Sequence, residues 1–140
     1  GRGEMLGRNS TMSSMNAAII DFRLNRMEEL QLMRQNIGSM YDEAFGIVSN
    51  NKVNNNRHKY VYKCKSEENR NLIKKEINGK VHYPQISENP MYSFLHHRKD
   101  DCINSKLFSQ TVVSLPIHPY MEEEEIDKVI NTVCILDENF

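Results

Sequence analysis

The stretch that decides the fold runs from Val112 to Val133, VVSLPIHPYMEEEEIDKVINTV. Its opening, with Thr111 before it, is a short apolar run rich in β-branched residues. That composition predicts a buried strand over Thr111–Leu115. Pro116 and Pro119 then enclose a turn, since neither has an N–H to continue a ladder. Beyond them Ile126, Val129, Ile130 and Val133 recur at spacings of three and four. They predict a final amphipathic helix from Glu122 to about Leu136. Glu122 to Glu125 crowd its N-terminal end, where the helix dipole favours negative charge. A solvated helix start accounts for them.

Working outward from that strand, Cys102–Gln110 is predicted as a short helix with Ile103, Leu107 and Phe108 inward. Residues 84–101 are mostly loop. Lys80–Tyr83 is predicted as a short strand stopped by Pro84. Before it, Ser66 is a good N-cap for a helix reaching Ile77, with Glu67 and Glu68 in the first turn and Lys74 and Lys75 in the last. Gly79 is its expected C-cap. His58–Cys64 alternates as a strand, with Tyr60, Tyr62 and Cys64 on one face and Lys59, Val61 and Lys63 on the other. The Asn-rich stretch over 49–57 reads as a loop or hairpin tip.

The N-terminal third has a different character. Residues 1–9 read as a loop. Met12, Met15, Ile19, Phe22, Met27, Leu30, Met33, Ile37, Met40, Tyr41 and Ala44 then follow helical spacing to about Phe45. Ser10 or Thr11 is the expected cap, and Gly38 the expected kink. At ~1.5 Å per residue this rod is roughly 50 Å long, too long to bury against one small domain. Part of it is therefore expected to pack on something outside the chain. The elements predict an α/β (α+β) fold: a small, three-stranded, mostly antiparallel sheet with helices on one side and a long N-terminal helix. Residues 1–45 form the linking segment and 46–140 a small α/β domain.

Composition narrows the function. The 140 residues are 39% apolar and 26% charged with a net charge of -1, which suits a globular domain and leaves no nucleic-acid footprint. No apolar run approaches the ~18 residues of a membrane span. Three widely spaced cysteines, Cys64, Cys102 and Cys134, argue against a disulfide framework and for a reducing, cytoplasmic setting. The five histidines show no metal-ligand spacing with each other or with the cysteines, so no metal site is expected. His96-His97-Arg98-Lys99 is a small basic cluster in a loop, and a solvated loop explains it. His118, between two prolines, reads as structural. His82 and Tyr83 stand at a strand end before Pro84, where they face either a ligand or the interior. Asn9 precedes a helix and is equally a loop residue, a cap or an amide donor to a phosphate.

Three blocks of the sequence together resemble one family. Ser114 to Ile130 follows the pattern SLP-[LM]-[HY]-P…EE-[IV]-x-x-V-[IV]. Residues 7–19, GRNSTMSSMNAAI, are similar to G-x-N-x-R-M…Q-A-A-[LI]. Residues 79–92, GKVHYPQISENPMY, are similar to G-I…HYP-x-PLH-x-Q-P-x-Y. These are signatures of the DegT/DnrJ/StrS family of pyridoxal-phosphate-dependent sugar aminotransferases. The chain departs from them at Thr11 (Arg in the family), Asn16 (Gln), Ile20 (Gly) and Ile86-Ser87-Glu88 (PLH).

The resemblance implies the small-domain part of a type I aminotransferase, a homodimer in the complete enzyme. The large domain and its Schiff-base lysine would lie N-terminal to residue 1. The partners it implies are that large domain or a second subunit, and a nucleotide-sugar substrate. It puts Asn9 on the cofactor phosphate of the neighbouring subunit and His82 and Tyr83 at the mouth where the nucleotide sugar binds. The parent reaction would be amino transfer from glutamate to a keto-sugar nucleotide, in polysaccharide or amino-sugar biosynthesis. The chain alone is then expected to be catalytically silent. The alternative is a non-catalytic dimerisation or interaction module derived from that family.

Overall fold

The computed structural model describes residues 11–47, 56–95 and 102–138. Two helices open the chain, α1 (Ser14–Leu24) and α2 (Met27–Ala44). Strand β1 (Tyr60–Lys63) and helix α3 (Glu67–Glu76) follow. Two 3₁₀ turns, Ile86–Glu88 and Pro90–Leu95, precede α4 (Ile103–Thr111), β2 (Val112–Leu115) and α5 (Glu123–Glu138).

The N-terminal helical pattern is cut in two, and not at Gly38. Helix α1 starts from Ser13, whose hydroxyl accepts from the Asn16 N–H at 3.3 Å, rather than from Ser10 or Thr11. It ends at Asn25, and α2 starts from Arg26. The Arg26 guanidinium forks onto both carboxylate oxygens of Glu29 at 3.1 Å, and Glu28 and Glu29 complement the dipole of the new helix start. Gly38 lies inside α2 and is buried. A Cβ there would sit 3.0 Å from the Arg57 side chain, so glycine answers a close approach rather than a bend.

The core forms where α2, α3 and α5 cover one face of the sheet. Ile37 and Tyr41 of α2 meet Tyr60, Cys64, Ile73, Val113, Leu115, Ile117, Ile126, Val129 and Val133. The tyrosine face of β1 points inward as its alternation requires, with Tyr60 buried and Val61 on the opposite, exposed side. Strands β1 and β2 are antiparallel, with Tyr60 opposite Leu115 and Tyr62 opposite Val113. The Tyr41 hydroxyl donates to the Pro116 carbonyl at 2.9 Å and ties α2 to the end of β2.

Among the described residues the sheet has two strands, not three. The expected strand over Lys80–Tyr83 shrinks to one antiparallel bridge between Lys80 and Ser114. The Ser114 N–H donates to the Lys80 carbonyl at 2.7 Å, but the return bond is stretched to 3.5 Å. The His82 ring then turns back onto the Ser114 hydroxyl, and Pro84 offers no N–H for a further rung. Gly79 makes the bridge possible, since a Cβ there would fall 2.7 Å from Val113 Cγ2. It is not the helix cap. Ile77 caps α3, and Asn78 takes the left-handed conformation at φ 51°. The Ser66 cap is present, its hydroxyl accepting from the Asn69 N–H at 3.1 Å.

Two further expectations change. Ile103, Leu107 and Phe108 of α4 are exposed, because their stripe faces away from the core that α2, α3 and α5 enclose. Helix α5 also runs past Leu136 to Glu138. The extra turn buries the Asp137 carboxylate, which accepts from the Tyr62 hydroxyl (2.7 Å), the Asn69 amide (3.0 Å) and the Lys65 N–H (3.0 Å). Buried polar groups need such partners, so this carboxylate staples α5 to β1 and α3.

Candidate functional site

The residues with chemical potential gather at the end of the sheet, where β2 and the chain before β1 meet α2. Cross-strand partners share a face, so Val61, Ser114 and Lys80 project together. Lys59, two residues before Val61, continues that side of the alternation. Lys59 and Lys80 thus flank Ser114 and Leu115 from opposite sides of β2. Arg34 reaches the same place from α2, one turn before Ile37.

These side chains line an open groove of about 360 Å³ floored by Ser114, Leu115, Pro116 and Ile117. His58, Asn78, His82 and His118 complete its polar lining, and no carboxylate is among them. A second depression of about 350 Å³ adjoins it and shares Arg34 and His58. Ile20, Leu24, Met27 and Leu30 give it an apolar wall, and Arg23, Gln31 and Asn56 add polar side chains.

His82 belongs to this groove. Its Nδ1 lies 2.9 Å from Ser114 Oγ, and its ring meets that of Tyr83 edge to face at 5.2 Å. Partial burial, and then the positive charges of Lys59, Lys80 and His58, hold its pKa below the ordinary value. The ring is therefore neutral at neutral pH, with one nitrogen a donor and the other an acceptor. Tyr83 is 73% exposed beside it. The structure thus lines the groove with His82, while Tyr83 touches the His82 ring without lining the groove itself. His118 lines the groove as well. Asn9 and His96 to Lys99 lie outside the described residues.

Sequence reasoning missed Arg34, Lys59 and Lys80. Each reads locally as a solvated charge, Arg34 on a helix and Lys59 and Lys80 on two separate predicted strands. The alternation that puts Lys59 opposite Tyr60 was visible, but its meeting with Lys80 depends on the bridge to Ser114.

The chain matches the model of the DegT/DnrJ/EryC1/StrS aminotransferase family over residues 2–134. It belongs to this family. A dTDP-3-amino-3,6-dideoxy-alpha-D-galactopyranose transaminase of Aneurinibacillus thermoaerophilus is 26% identical over 136 residues, 91% of this chain and 37% of that protein. The spore coat polysaccharide biosynthesis protein SpsC of Bacillus subtilis is 24% identical over 93% of this chain and 38% of its own length. Spr1654 of Streptococcus pneumoniae, described as a sugar aminotransferase, superposes with a TM-score of 0.83 at 26% identity, covering 91% of this chain and 35% of that one. The same protein has been solved in a PLP-form. The chain therefore spans well under half the length of these family members.

Among the described residues no lysine occupies an enclosed pocket of the kind that holds a covalently bound cofactor. Lys63, Lys65, Lys74, Lys75, Lys80, Lys106 and Lys128 are exposed, and Lys59 lines an open groove. The described residues do not fit pyridoxal phosphate as a covalent anchor, and no chemical step through it follows from them. Nor do three or more His, Cys, Asp or Glu side chains gather among them as a metal cage. No described helix is long and apolar enough to cross a membrane.

Proposed function

We propose that this chain is the C-terminal portion of a pyridoxal-phosphate-dependent nucleotide-sugar aminotransferase, and that alone it is catalytically silent. Residues 1–45 act as the link from a large domain and residues 46–140 as the small domain. The observation that carries this is the family match over residues 2–134, set beside relatives more than twice as long. The parent would move an amino group from glutamate to a keto-sugar nucleotide and would act as a homodimer. When bound, pyridoxal phosphate supplies the electron sink for that chemistry. The share of the work that falls to this chain is binding. His82 and Tyr83 flank the substrate mouth, with His82 neutral and able to donate or accept. Asn9 reaches the cofactor phosphate of the second subunit.

The uncovered apolar faces support a partner in either case. No residue of α1 is buried, and Met12, Met15, Ile19 and Phe22 are all exposed. A large domain or a second subunit would cover them. A non-catalytic interaction module derived from the family would present them to a full-length partner. The reading frame upstream of Gly1 separates the two. An in-frame block encoding a strand, a lysine and a Gly-rich turn supports the enzyme. A start codon near Met5 with no such block supports the module. Borohydride reduction of the isolated chain with pyridoxal phosphate is expected to label no lysine. One lysine labelled stoichiometrically and selectively would overturn the silent-fragment reading.

A further inference from the structure

His82 meets Ser114 through one ring nitrogen and leaves the other free. Its Nδ1 lies 2.9 Å from Ser114 Oγ, while its Nε2 has no hydrogen-bond partner among the described residues and is not shut away from solvent. Ser114 is 7% exposed and is held from both sides, opposite Val61 in β1 and opposite Lys80 at the isolated bridge. Its N–H and carbonyl both engage Lys80, so the hydroxyl alone answers the His82 ring.

A hydroxyl can donate or accept, and a neutral imidazole has one donor and one acceptor nitrogen. Two arrangements therefore fit the contact. In one, the Ser114 hydroxyl donates to Nδ1 and the ring proton sits on Nε2. In the other, the Nδ1–H donates to Ser114 Oγ, and the Ser114 hydroxyl proton has no acceptor among the described residues. The second strands a donor at a nearly buried position, which is costly. A fully protonated ring has the same defect, because its Nδ1–H would also need Ser114 Oγ as acceptor.

We infer that Ser114 is a positioning residue: its hydroxyl donates to His82 Nδ1 and fixes the imidazole as the neutral Nε2–H tautomer, which presents a hydrogen-bond donor to the groove. His82 then meets a substrate through an acceptor oxygen and cannot take a proton from it at that nitrogen. This deepens the role given to His82 and rests on the aminotransferase reading for the substrate; the tautomer rests on the Ser114 contact itself. The surroundings agree. Arg34 from α2, Lys59 before β1, Lys80, His58 and His118 line the same groove and no carboxylate does, so an imidazolium would add a like charge to cations already gathered there. Partial burial, and then Lys59, Lys80 and His58, lower the pKa of the ring. Tyr83, edge to face with it at 5.2 Å, restricts its rotation.

The test is the ring-nitrogen NMR spectrum of His82 in the full 140-residue chain, above the pH of its titration, with His82→Gln to assign the signals. Nδ1 should resonate as an unprotonated nitrogen and Nε2 as a protonated one. Ser114→Ala should lower the preference for this tautomer about tenfold, the loss of one hydrogen bond at a nearly buried position. It should also raise the His82 midpoint, since the neutral ring loses its donor. Ser114→Thr keeps the hydroxyl and should restore both. A merely structural role for Ser114 would move neither.

The Nδ1–H form dominant in the parent chain, or an even mixture, would overturn the proposal. So would an unchanged ratio and midpoint in natively folded Ser114→Ala, or a natively folded Ser114→Thr that behaves like the alanine variant. If a variant loses its native circular dichroism, the spectrum of the parent chain decides. Failure of the aminotransferase reading shows elsewhere, in the upstream reading frame. A chain with the Nε2–H tautomer and no upstream lysine block keeps the positioning contact and loses only the substrate.

Discussion

Asp137→Ala should cost this domain a large part of its stability. The carboxylate is 3% exposed and its amide partner Asn69 is 2% exposed. Truncation strands the Asn69 amide in the interior, at about 1–3 kcal/mol for an unsatisfied buried donor. The Tyr62 hydroxyl and the Lys65 N–H lie nearer solvent and can rehydrate, so each loses about 1 kcal/mol. The sum is about 4 kcal/mol, against about 5–15 kcal/mol for a typical domain. With a urea slope of about 2 kcal/mol/M, the denaturation midpoint should fall by about 2 M. Asp137→Asn keeps an oxygen for Asn69 and Lys65 and disturbs mainly the Tyr62 contact, so it should cost only about 1 kcal/mol. Tyr62→Phe should cost a similar amount, and combining the two should add little, because both break one bond. The reasoning fails if Asp137→Ala unfolds within about 0.5 kcal/mol of the parent, the range of an ordinary surface change. It fails equally if Asn and Ala prove alike.

Two further outcomes follow from the site and the core. Burial, and then the Asp137 carboxylate, push the Cys64 thiol up to about 12, while Cys102 is exposed. A thiol reagent at mildly alkaline pH should therefore label Cys102 in the folded chain and reach Cys64 only after denaturation, and rapid native labelling of Cys64 would contradict the packing. His82 should titrate by NMR with a midpoint below the ordinary 6.5, and Lys80→Gln should raise that midpoint. Because the unfolded chain takes up this proton more readily, His82 should leave stability unchanged above about pH 6.5 and subtract from it as pH falls below that value. A midpoint at or above 6.5 would show that the lysines do not act on the ring.

Much of the local structure was legible because it depends on near neighbours. The Ser66 cap, the alternation of Tyr60, Tyr62 and Cys64, the strand at Val112–Leu115 and the stripe of α5 are set by spacings of two to four residues. Such patterns carry their own physics, since a strand repeats every two residues and a helix every 3.6. The three family blocks were legible for the same reason: they are runs of sequence. Other features depended on what lay across the fold. Helix α4 shows a sound apolar stripe, but a stripe does not say which neighbour covers it, and Ile103, Leu107 and Phe108 turned outward. The third strand shortened to one rung once His82 folded back on Ser114. Gly79, an apparent cap, proved to be a contact with Val113. The cationic groove was hidden most completely, because Arg34, Lys59 and Lys80 are far apart in sequence and each looks like an ordinary surface charge. Only the antiparallel register of β1, β2 and the Lys80 bridge, with α2 laid beside them, brings the three charges to one face, and that register is a property of the packed chain.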